Sequence, residues 1–212
     1  MVPSFTYVAT ANAVEYCRAR PIFCDVAPAD LTINLELLEK SITPRTKVII
    51  PASLFGVPVD MSAVKEISEP QGLLVLEDAA CSLGAFFNGV HTGTEAGAAA
   101  FSFHPRKIIT TGEGGMLITN DIQLNDKVRQ LRDHGASRSD LERHLGRGGS
   151  LLPDFDVLGY NYRMTDIQGA LGVSQMSKLN LFLASRMEAA RRYDTLLADL
   201  EWVSPLQPAQ GA

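Results

Sequence analysis

The chain has 212 residues, of which 46% are hydrophobic and 20% are charged, and its formal net charge is −5. This composition is typical of a globular protein with a sizeable core, and the acidic balance argues against general nucleic-acid binding, which requires a basic face. No apolar run approaches the roughly 20 residues that cross a bilayer, and the first 20 residues lack the basic and apolar regions of a signal peptide. We therefore expect a cytoplasmic protein with neither a nucleic-acid nor a membrane partner.

Four short apolar runs predict buried strands: 47–51 (KVIIP), 73–76 (LLVL), 98–103 (AAAFSF) and 116–119 (MLIT). Near-continuous apolar runs between turn residues are typical of strands covered on both faces. Helical patterns lie between several of them, with Asn34, Ser62 and Asp121 as predicted N-caps and Gly135 as the predicted end of the third helix. The alternation predicts an α/β fold with a largely parallel sheet.

The pattern changes after Gly135. Residues 136–163 are rich in Gly, Arg and Asp and have little periodicity, which predicts a long loop; such loops in compact domains are usually functional or disordered. The helical pattern resumes at Thr165, and a second helical stretch runs from about Phe182 to Leu200. The three cysteines are odd in number and have no metal-ligand spacing, so we expect reduced thiols and no metal site.

Ligands in open α/β sheets bind beyond the carboxyl ends of the strands. That rule selects Asp78, just after the second apolar run, and the segment from Ser102 to Lys107, at the end of the third. Taken alone, Asp78 is equally well explained as a helix cap or a structural hydrogen-bond acceptor. Lys107 alone is more typical of a solvated lysine, and the glycines at 112–115 lack the spacing of a P-loop. A surface lysine, a phosphate ligand and a nucleophilic amine all remain open for Lys107.

The combination is more specific than its parts. A strand-end aspartate, a serine five residues before a lysine and a Thr-Thr-Gly turn after it suit pyridoxal 5′-phosphate (PLP). Its aldehyde needs an amine, its pyridine nitrogen needs an anion, and its phosphate needs hydroxyl and amide donors.

The motifs around these residues resemble the DegT/DnrJ/StrS family of PLP-dependent sugar aminotransferases. The matching segments occur in family order and cover nearly the whole chain: PSFTYVATANAV (3–14), ITPRTKVIIP (42–51), FGVPVDMSAV (55–64), LEDAACSLGA (76–85), FSFHPRKIITTGEGGM (101–116) and GYNYRMTDIQGALG (159–172). The resemblance implies the large domain of a fold type I PLP-dependent aminotransferase, with a mostly parallel sheet and helices on both faces.

The resemblance also implies a domain organisation. Residues 1–180 would form a partial cofactor-binding domain that includes the 136–163 loop, and residues 181–212 would form a long helix and linker leading to an absent C-terminal small domain. Both ends of the family pattern are missing, including a helix start that holds the PLP phosphate through its free amides. We therefore expect a truncated domain whose isolated form is inactive.

Carried over by position, the resemblance implies catalytic roles for two residues. Lys107 would form the imine with PLP and then shuttle a proton between the amino-acid carbon and the cofactor carbon. Asp78 would bind the pyridinium nitrogen. An inactive or regulatory relative is the non-catalytic alternative, and the intact set of Asp78, Ser102 and Lys107 argues against it.

Four further residues would contact the cofactor. Tyr7 is at the position that stacks on the ring, Ser102 would contact the phosphate, and Asn161 would reach the phosphate of the neighbouring subunit. Cys81 is near the phenolic oxygen, where the family often has Gln or His, and a thiol is a weaker hydrogen-bond partner there. Structural roles remain open for Tyr7, as a core residue, and for Asn161, as a turn residue.

The implied reaction is amino transfer in aminosugar, cell-surface polysaccharide or antibiotic-sugar biosynthesis. An amino acid would convert PLP to pyridoxamine 5′-phosphate (PMP), and the amino group would then pass to a keto-sugar nucleotide. The resemblance implies L-glutamate, the common amino donor of the family. A homodimer with shared active sites is implied. PLP- or PMP-dependent sugar dehydration is the second enzymatic alternative, and Lys107 argues against it because dehydratase relatives typically carry His there.

Overall fold

The computed structural model describes residues 1–137, 154–206, 208 and 210–212. Most of the predicted loop at 136–163 therefore lies outside the described residues. Within these described residues, eight strands and six α-helices follow in chain order: β1 (Val2–Pro3), α1 (Val8–Tyr16), β2 (Phe23–Cys24), α2 (Leu35–Ser41), β3 (Val48–Ile49), α3 (Met61–Ser68), β4 (Leu74–Asp78), β5 (Phe86–Phe87), β6 (Val90–His91), β7 (Ala98–Ser102), β8 (Gly115–Ile118), α4 (Ile122–Leu131), α5 (Asp166–Met176) and α6 (Leu179–Leu197). A short 3₁₀ helix, Glu69–Gln71, follows α3.

The central sheet has the order β3-β4-β7-β8. The β3–β4 and β4–β7 pairs are parallel and β8 is antiparallel to β7, which confirms the predicted mostly parallel sheet. A parallel pair, β1–β2, lies beside β3, where the Ile50 amide donates to the Met1 carbonyl at 2.8 Å. The carboxyl ends of β1, β3, β4 and β7 therefore share one edge.

The hydrophobic core lies on the face of the sheet that carries Ile49, Val75, Ala99 and Phe101, because neighbouring strands align these residues in register. Two clusters of buried side chains cover that face. The first contains residues of α2 and α3, including Leu38 and Val64, and the second includes partly buried residues at the start of α6. Asp78 and Ser102 belong to the opposite face by the alternation of side chains.

Local signals explain most of the helix starts. Asn34 caps α2, since its side chain accepts a hydrogen bond from the Leu37 amide, and Asp121 caps α4. The predicted cap at Ser62 is wrong. Asp60 caps α3 instead, accepting from the Ala63 amide at 3.0 Å, and Ser62 lies within the first turn.

Gly135, the predicted closing residue of α4, lies four residues after the helix, but its amide donates to the Gln130 carbonyl of the last turn at 2.9 Å. The helix ends at Leu131, and the next residues turn to meet the segment after the undescribed residues, with the His134 amide donating to the Tyr160 carbonyl at 2.7 Å. Gly135 has φ +83°, and a Cβ there would lie 1.8 Å from the Val157 carbonyl oxygen. A glycine is therefore required by this close approach, and its amide also serves the end of α4.

Replacing Leu38 tests the core of the fold. Its side chain is fully buried in the first cluster, so Leu38→Ala should lower the free energy of unfolding by about 2–5 kcal/mol in urea denaturation. Leu37→Ala is the matched control, because Leu37 is 40% exposed on the same helix and should cost much less. Equal losses from the two variants would contradict the assigned core face.

Candidate functional site

The carboxyl ends of β4 and β7 bring the predicted acid and serine onto one face. Asp78 is the last residue of β4 and is the register partner of Ala100 in β7. Ser102 ends β7 two residues further on, so its side chain points to the same face as that of Asp78. Lys107 follows five residues later.

A tight turn carries Lys107 back towards β4. The Lys107 amide donates to the His104 carbonyl at 2.9 Å, and the Thr111 amide donates to the Phe103 carbonyl at 3.0 Å. The half-buried Lys107 amine then donates to the Cys81 thiol, with Nζ and Sγ 3.0 Å apart. This contact joins the turn after β7 to the turn after β4.

The Asp78 carboxylate is held from two sides. Its Oδ2 accepts from the Thr10 hydroxyl at 2.6 Å, and its Oδ1 accepts from the Ala80 amide at 3.1 Å. Thr10 is only 5% exposed and its Oγ1 is also 2.8 Å from that of Thr6. A carboxylate has about four acceptor positions, so Asp78 retains capacity for a further donor.

Thr10 is a candidate site residue, because of its bond to Asp78, that the sequence patterns did not indicate. It lies in the first turn of α1, 68 residues from Asp78. The one hint in the sequence is a threonine in an otherwise small and apolar helix turn, VATA (8–11). Nothing in the spacing of Thr10 connects it with Asp78.

Small side chains flank Asp78 along the sheet. Its register partners are Ala52 on one side and Ala100 on the other. Neither alanine side chain extends far from the sheet, so the row Ala52–Asp78–Ala100 places no bulky side chain directly beside the carboxylate.

Burial shifts the pKa of one ionisable group beside the site, Glu77. Glu77 points to the opposite face from Asp78 and is 2% exposed. Desolvation raises the pKa of Glu77, and hydrogen bonds from the Ser53 hydroxyl and the Gly93 amide partly oppose that rise.

The other expected cofactor contacts are placed less closely. Tyr7 is the N-cap residue of α1 and 69% exposed, which is not a core position, and the Thr10 amide donates to its carbonyl at 3.1 Å. The Ser102 hydroxyl accepts only a long hydrogen bond, 3.4 Å, from the His104 amide. Tyr7 and Ser102 are therefore next to the Asp78 and Lys107 segments.

Asn161 is not brought to Lys107 by any described contact. It is exposed and forms an isolated antiparallel bridge with Asp133 after α4. Arg163 forms an ion pair with the same Asp133, so the segment is fastened to the end of α4. Stacked rings of Tyr160 and Tyr162, with centroids 5.0 Å apart, flank Asn161.

The described part of the chain has neither a cluster of metal ligands nor a membrane-spanning helix. Residues 1–137 and 154 onward, as far as they are described, contain no group of three His, Cys, Asp or Glu side chains that could hold a metal ion. No helix among the same residues has the length and apolar character to span a membrane.

Comparison with known proteins gives one family and many structural neighbours. The model of the DegT/DnrJ/EryC1/StrS aminotransferase family matches residues 1–212. GDP-perosamine synthase of Caulobacter vibrioides is 42% identical over 200 residues, which are 94% of this chain and 51% of that protein. The chain thus spans about half the length of the curated relatives it matches.

Solved structures agree with this match. PseC of Helicobacter pylori, an aminotransferase involved in the biosynthesis of pseudoaminic acid, superposes with a TM-score of 0.88 at 33% identity, over 98% of this chain and 53% of its own. Spr1654 of Streptococcus pneumoniae in its PMP form has a TM-score of 0.85 at 28% identity, over 93% and 54% respectively, and it has also been solved in a PLP form.

Proposed function

Because the chain belongs to the DegT/DnrJ/EryC1/StrS aminotransferase family, we propose that it carries the PLP-binding part of an aminotransferase acting on a nucleotide-linked keto-sugar. The observation that carries the proposal is the convergence of a lysine amine and a held carboxylate at one sheet edge. Lys107 reaches the turn after β4 through Cys81, and Asp78 ends that strand with its carboxylate oriented by Thr10 and Ala80.

The residues at this edge fit PLP. The small side chains of Ala52 and Ala100 on either side of Asp78 suit a flat pyridine ring, and Asp78 can accept from its ring nitrogen. Lys107 offers the amine that binds the aldehyde, and Ser102 offers a hydroxyl for the phosphate. When bound, PLP supplies an electron sink that stabilises the charge left when a proton leaves the amino-acid carbon.

Lys107 has two tasks in this proposal. Its amine would hold the cofactor before the substrate arrives, and when free it would take and return a proton at Nζ. Positioned proton transfer of this kind contributes about 10²–10⁴-fold to a rate. The hydrogen-bonded turn from His104 to Lys107 limits the positions that the amine can reach.

Asp78 supplies a fixed negative charge. An anion beside the ring nitrogen favours its protonated form, and the hydrogen bonds from Thr10 and Ala80 keep the carboxylate from turning away.

We propose roles for the three remaining cofactor contacts as well. Tyr7, exposed at the start of α1, would stack on the ring, and Cys81 would lie beside the cofactor's phenolic oxygen because it already contacts Lys107. Asn161 would act on the phosphate of a second subunit in a homodimer. The exposure of Asn161, and the lack of any described contact between it and the Lys107 turn, are consistent with an action in trans.

Relatives support the substrate class. The matched proteins include GDP-perosamine synthase and an aminotransferase of pseudoaminic acid biosynthesis, so we propose an amino acid donor, L-glutamate, and a keto-sugar nucleotide acceptor. We also propose that residues 1–180 belong to the large cofactor domain and that 181–212, with helix α6, lead towards a small domain.

The test of this function is the glutamate half-reaction. The protein that contains this chain, loaded with PLP, should convert L-glutamate to one equivalent of 2-oxoglutarate per site, with loss of the cofactor's long-wavelength absorbance band. A sugar dehydratase would give no 2-oxoglutarate, and a regulatory relative would leave the spectrum unchanged. Either result would overturn the proposal for L-glutamate as donor, and a panel of other amino acids would then separate donor choice from lack of activity.

Replacing Thr10 tests how Asp78 is held. Thr10→Val keeps the shape of the side chain but removes the hydroxyl that donates to Asp78. A hydrogen bond to a charged group is worth about 1.5–3 kcal/mol, so we expect PLP affinity to fall about tenfold or more in an absorbance titration. Thr195→Val is the control, because the exposed Thr195 bonds only to its own helix. Equal affinities in the two variants would remove Thr10 from the site.

A further inference from the structure

Glu77 is a buried carboxyl group to which the proposed chemistry gives no task. It precedes Asp78 in β4 and points to the opposite face of the sheet, where it is 2% exposed. Burying a carboxyl group is costly unless hydrogen bonds compensate, so its partners show what the group is built to hold.

Three segments meet at Glu77. Its Oε1 accepts from the Ser53 hydroxyl at 2.8 Å, and its Oε2 accepts from the Gly93 amide at 2.6 Å. Ser53 is fully buried, and its hydroxyl in turn accepts from the Val59 amide at 3.2 Å. Glu77 therefore ties the chain after β3 and the turn after β6 to β4.

The turn after β6 is shaped for this contact. Gly93 has φ +89°, and a Cβ at this position would lie 2.7 Å from the Phe101 ring. A glycine is thus needed for the Gly93 amide to come within 2.6 Å of Glu77.

Ser53 connects Glu77 with Asp78. The Ser53 amide donates to the Asp78 carbonyl at 3.0 Å, while the Ser53 side chain donates to Glu77. One residue is therefore bonded through its main chain to the strand end that carries the site carboxylate and through its side chain to the buried glutamate.

The β3–β4 ladder has a gap near Asp78, so the hydrogen bond between Ser53 and Glu77 is important for holding the strand end. Regular pairing ends at Ile49 and Val75, and the strands meet again only in the isolated bridge between Ala52 and Asp78. The parallel pattern assigns the missing donor to residue 51, and Pro51 has no N–H. The strand end at Asp78 is held to the chain after β3 by the two bonds beyond this gap, from the Asp78 amide to the Pro51 carbonyl and from the Ser53 amide to the Asp78 carbonyl.

We propose that Glu77 is a positioning residue that, through Ser53, fixes the strand end carrying Asp78 and so sets how firmly the Asp78 carboxylate meets its ligand. The inference rests on the proposed PLP site. The hydrogen bonds of Glu77, on the face opposite the cofactor, would then compensate for the ladder hydrogen bond that Pro51 cannot donate.

Ser53→Ala is the sharpest test, because it removes only the hydroxyl and keeps the amide that donates to Asp78. We expect the residue-53 amide to exchange with deuterium about tenfold faster and the dissociation constant for PLP to rise about tenfold. The exchange readout needs no cofactor. It is measured on the protein that contains this chain, by hydrogen exchange with NMR or mass spectrometry.

Thr92→Val is the matched control. Thr92 is also buried, and its hydroxyl donates to the Ser82 carbonyl at 2.7 Å without touching Ser53 or Asp78. We expect this variant to lose about as much stability in urea as Ser53→Ala while its residue-53 exchange and PLP affinity stay within twofold of the parent.

Glu77→Gln is the conservative variant. The Gln carbonyl can accept from Gly93 while its amide donates to the Ser53 hydroxyl, which can reverse its role. We expect PLP affinity within about threefold of the parent for Gln, and a loss at least as large as that of Ser53→Ala for Glu77→Ala.

Two outcomes overturn the inference. One is that Ser53→Ala loses stability like Thr92→Val but keeps residue-53 exchange and PLP affinity within twofold, which would make Glu77 purely structural. The other is that Glu77→Gln is as damaging as Glu77→Ala. Failure of the proposed function is separate, since it appears as a parent protein that forms no borohydride-stable adduct at Lys107, whatever the exchange data show.

Discussion

Lys107→Ala should abolish both covalent attachment of PLP and amino transfer. In the parent, incubation with PLP and reduction with borohydride should leave a pyridoxyl group on Lys107, identified by peptide mapping. In the variant that peptide should be unlabelled, and the rate of the glutamate half-reaction should fall by at least about 10²–10⁴-fold, because the positioned acid/base group is gone. The cause is the loss of an amine that the turn at His104 holds beside Cys81.

Lys127→Ala is the control for Lys107. Lys127 is an exposed lysine of α4 whose amine bonds to Gln130, so its replacement should leave labelling and rate unchanged. Labelling of another lysine in the parent, with Lys107 unmodified, would refute the assignment of the nucleophile. Adventitious labelling is excluded by requiring one equivalent per chain and its loss in Lys107→Ala.

Asp78→Asn should lower the rate of the half-reaction by about 10²–10³-fold, since removing one preorganised electrostatic partner of a reacting group costs about that much. The substitution preserves the size of the side chain and its carbonyl oxygen can still accept from Thr10 or Ala80. The loss should therefore appear chiefly in the rate and in the pH dependence of the bound cofactor's absorbance, with labelling of Lys107 retained.

Asp60→Asn separates this effect from general damage. Asp60 caps α3 through the Ala63 amide, and Asn caps helices about as well as Asp, so rate and spectrum should match the parent. If Asp78→Asn also keeps the parent's rate and absorbance profile, the ring nitrogen does not depend on Asp78 and the proposed arrangement is wrong.

Much of the fold could be predicted from local patterns. The four apolar runs became β3, β4, β7 and β8, because continuous apolar segments between turn residues are buried wherever they pair. Asn34 and Asp121 were recognisable as caps, since a capping side chain satisfies amides only two or three residues away. Ser62 failed as a cap because a better acceptor, Asp60, stands two residues earlier.

The residues of the candidate site could be predicted only in part from the sequence. Asp78 and Lys107 could be selected because Asp78 ends one buried strand and Lys107 follows another, and because parallel strands end at one edge. Thr10 could not, because its hydrogen bond to Asp78 joins positions 68 residues apart. That bond depends on how α1 lies against the strand end, which no short-range pattern encodes.

The sequence by itself determined the class of sheet, the strand ends and the residue types that a PLP site requires, because these depend on near neighbours along the chain. The tertiary structure decided which distant groups act together. It placed the Lys107 amine on Cys81, the Thr10 hydroxyl on Asp78 and the Ser53 hydroxyl on Glu77. Each of these contacts depends on strand order and register, since hydrogen bonds form only within about 3 Å and a one-residue shift would move every side chain of β4 to the other face.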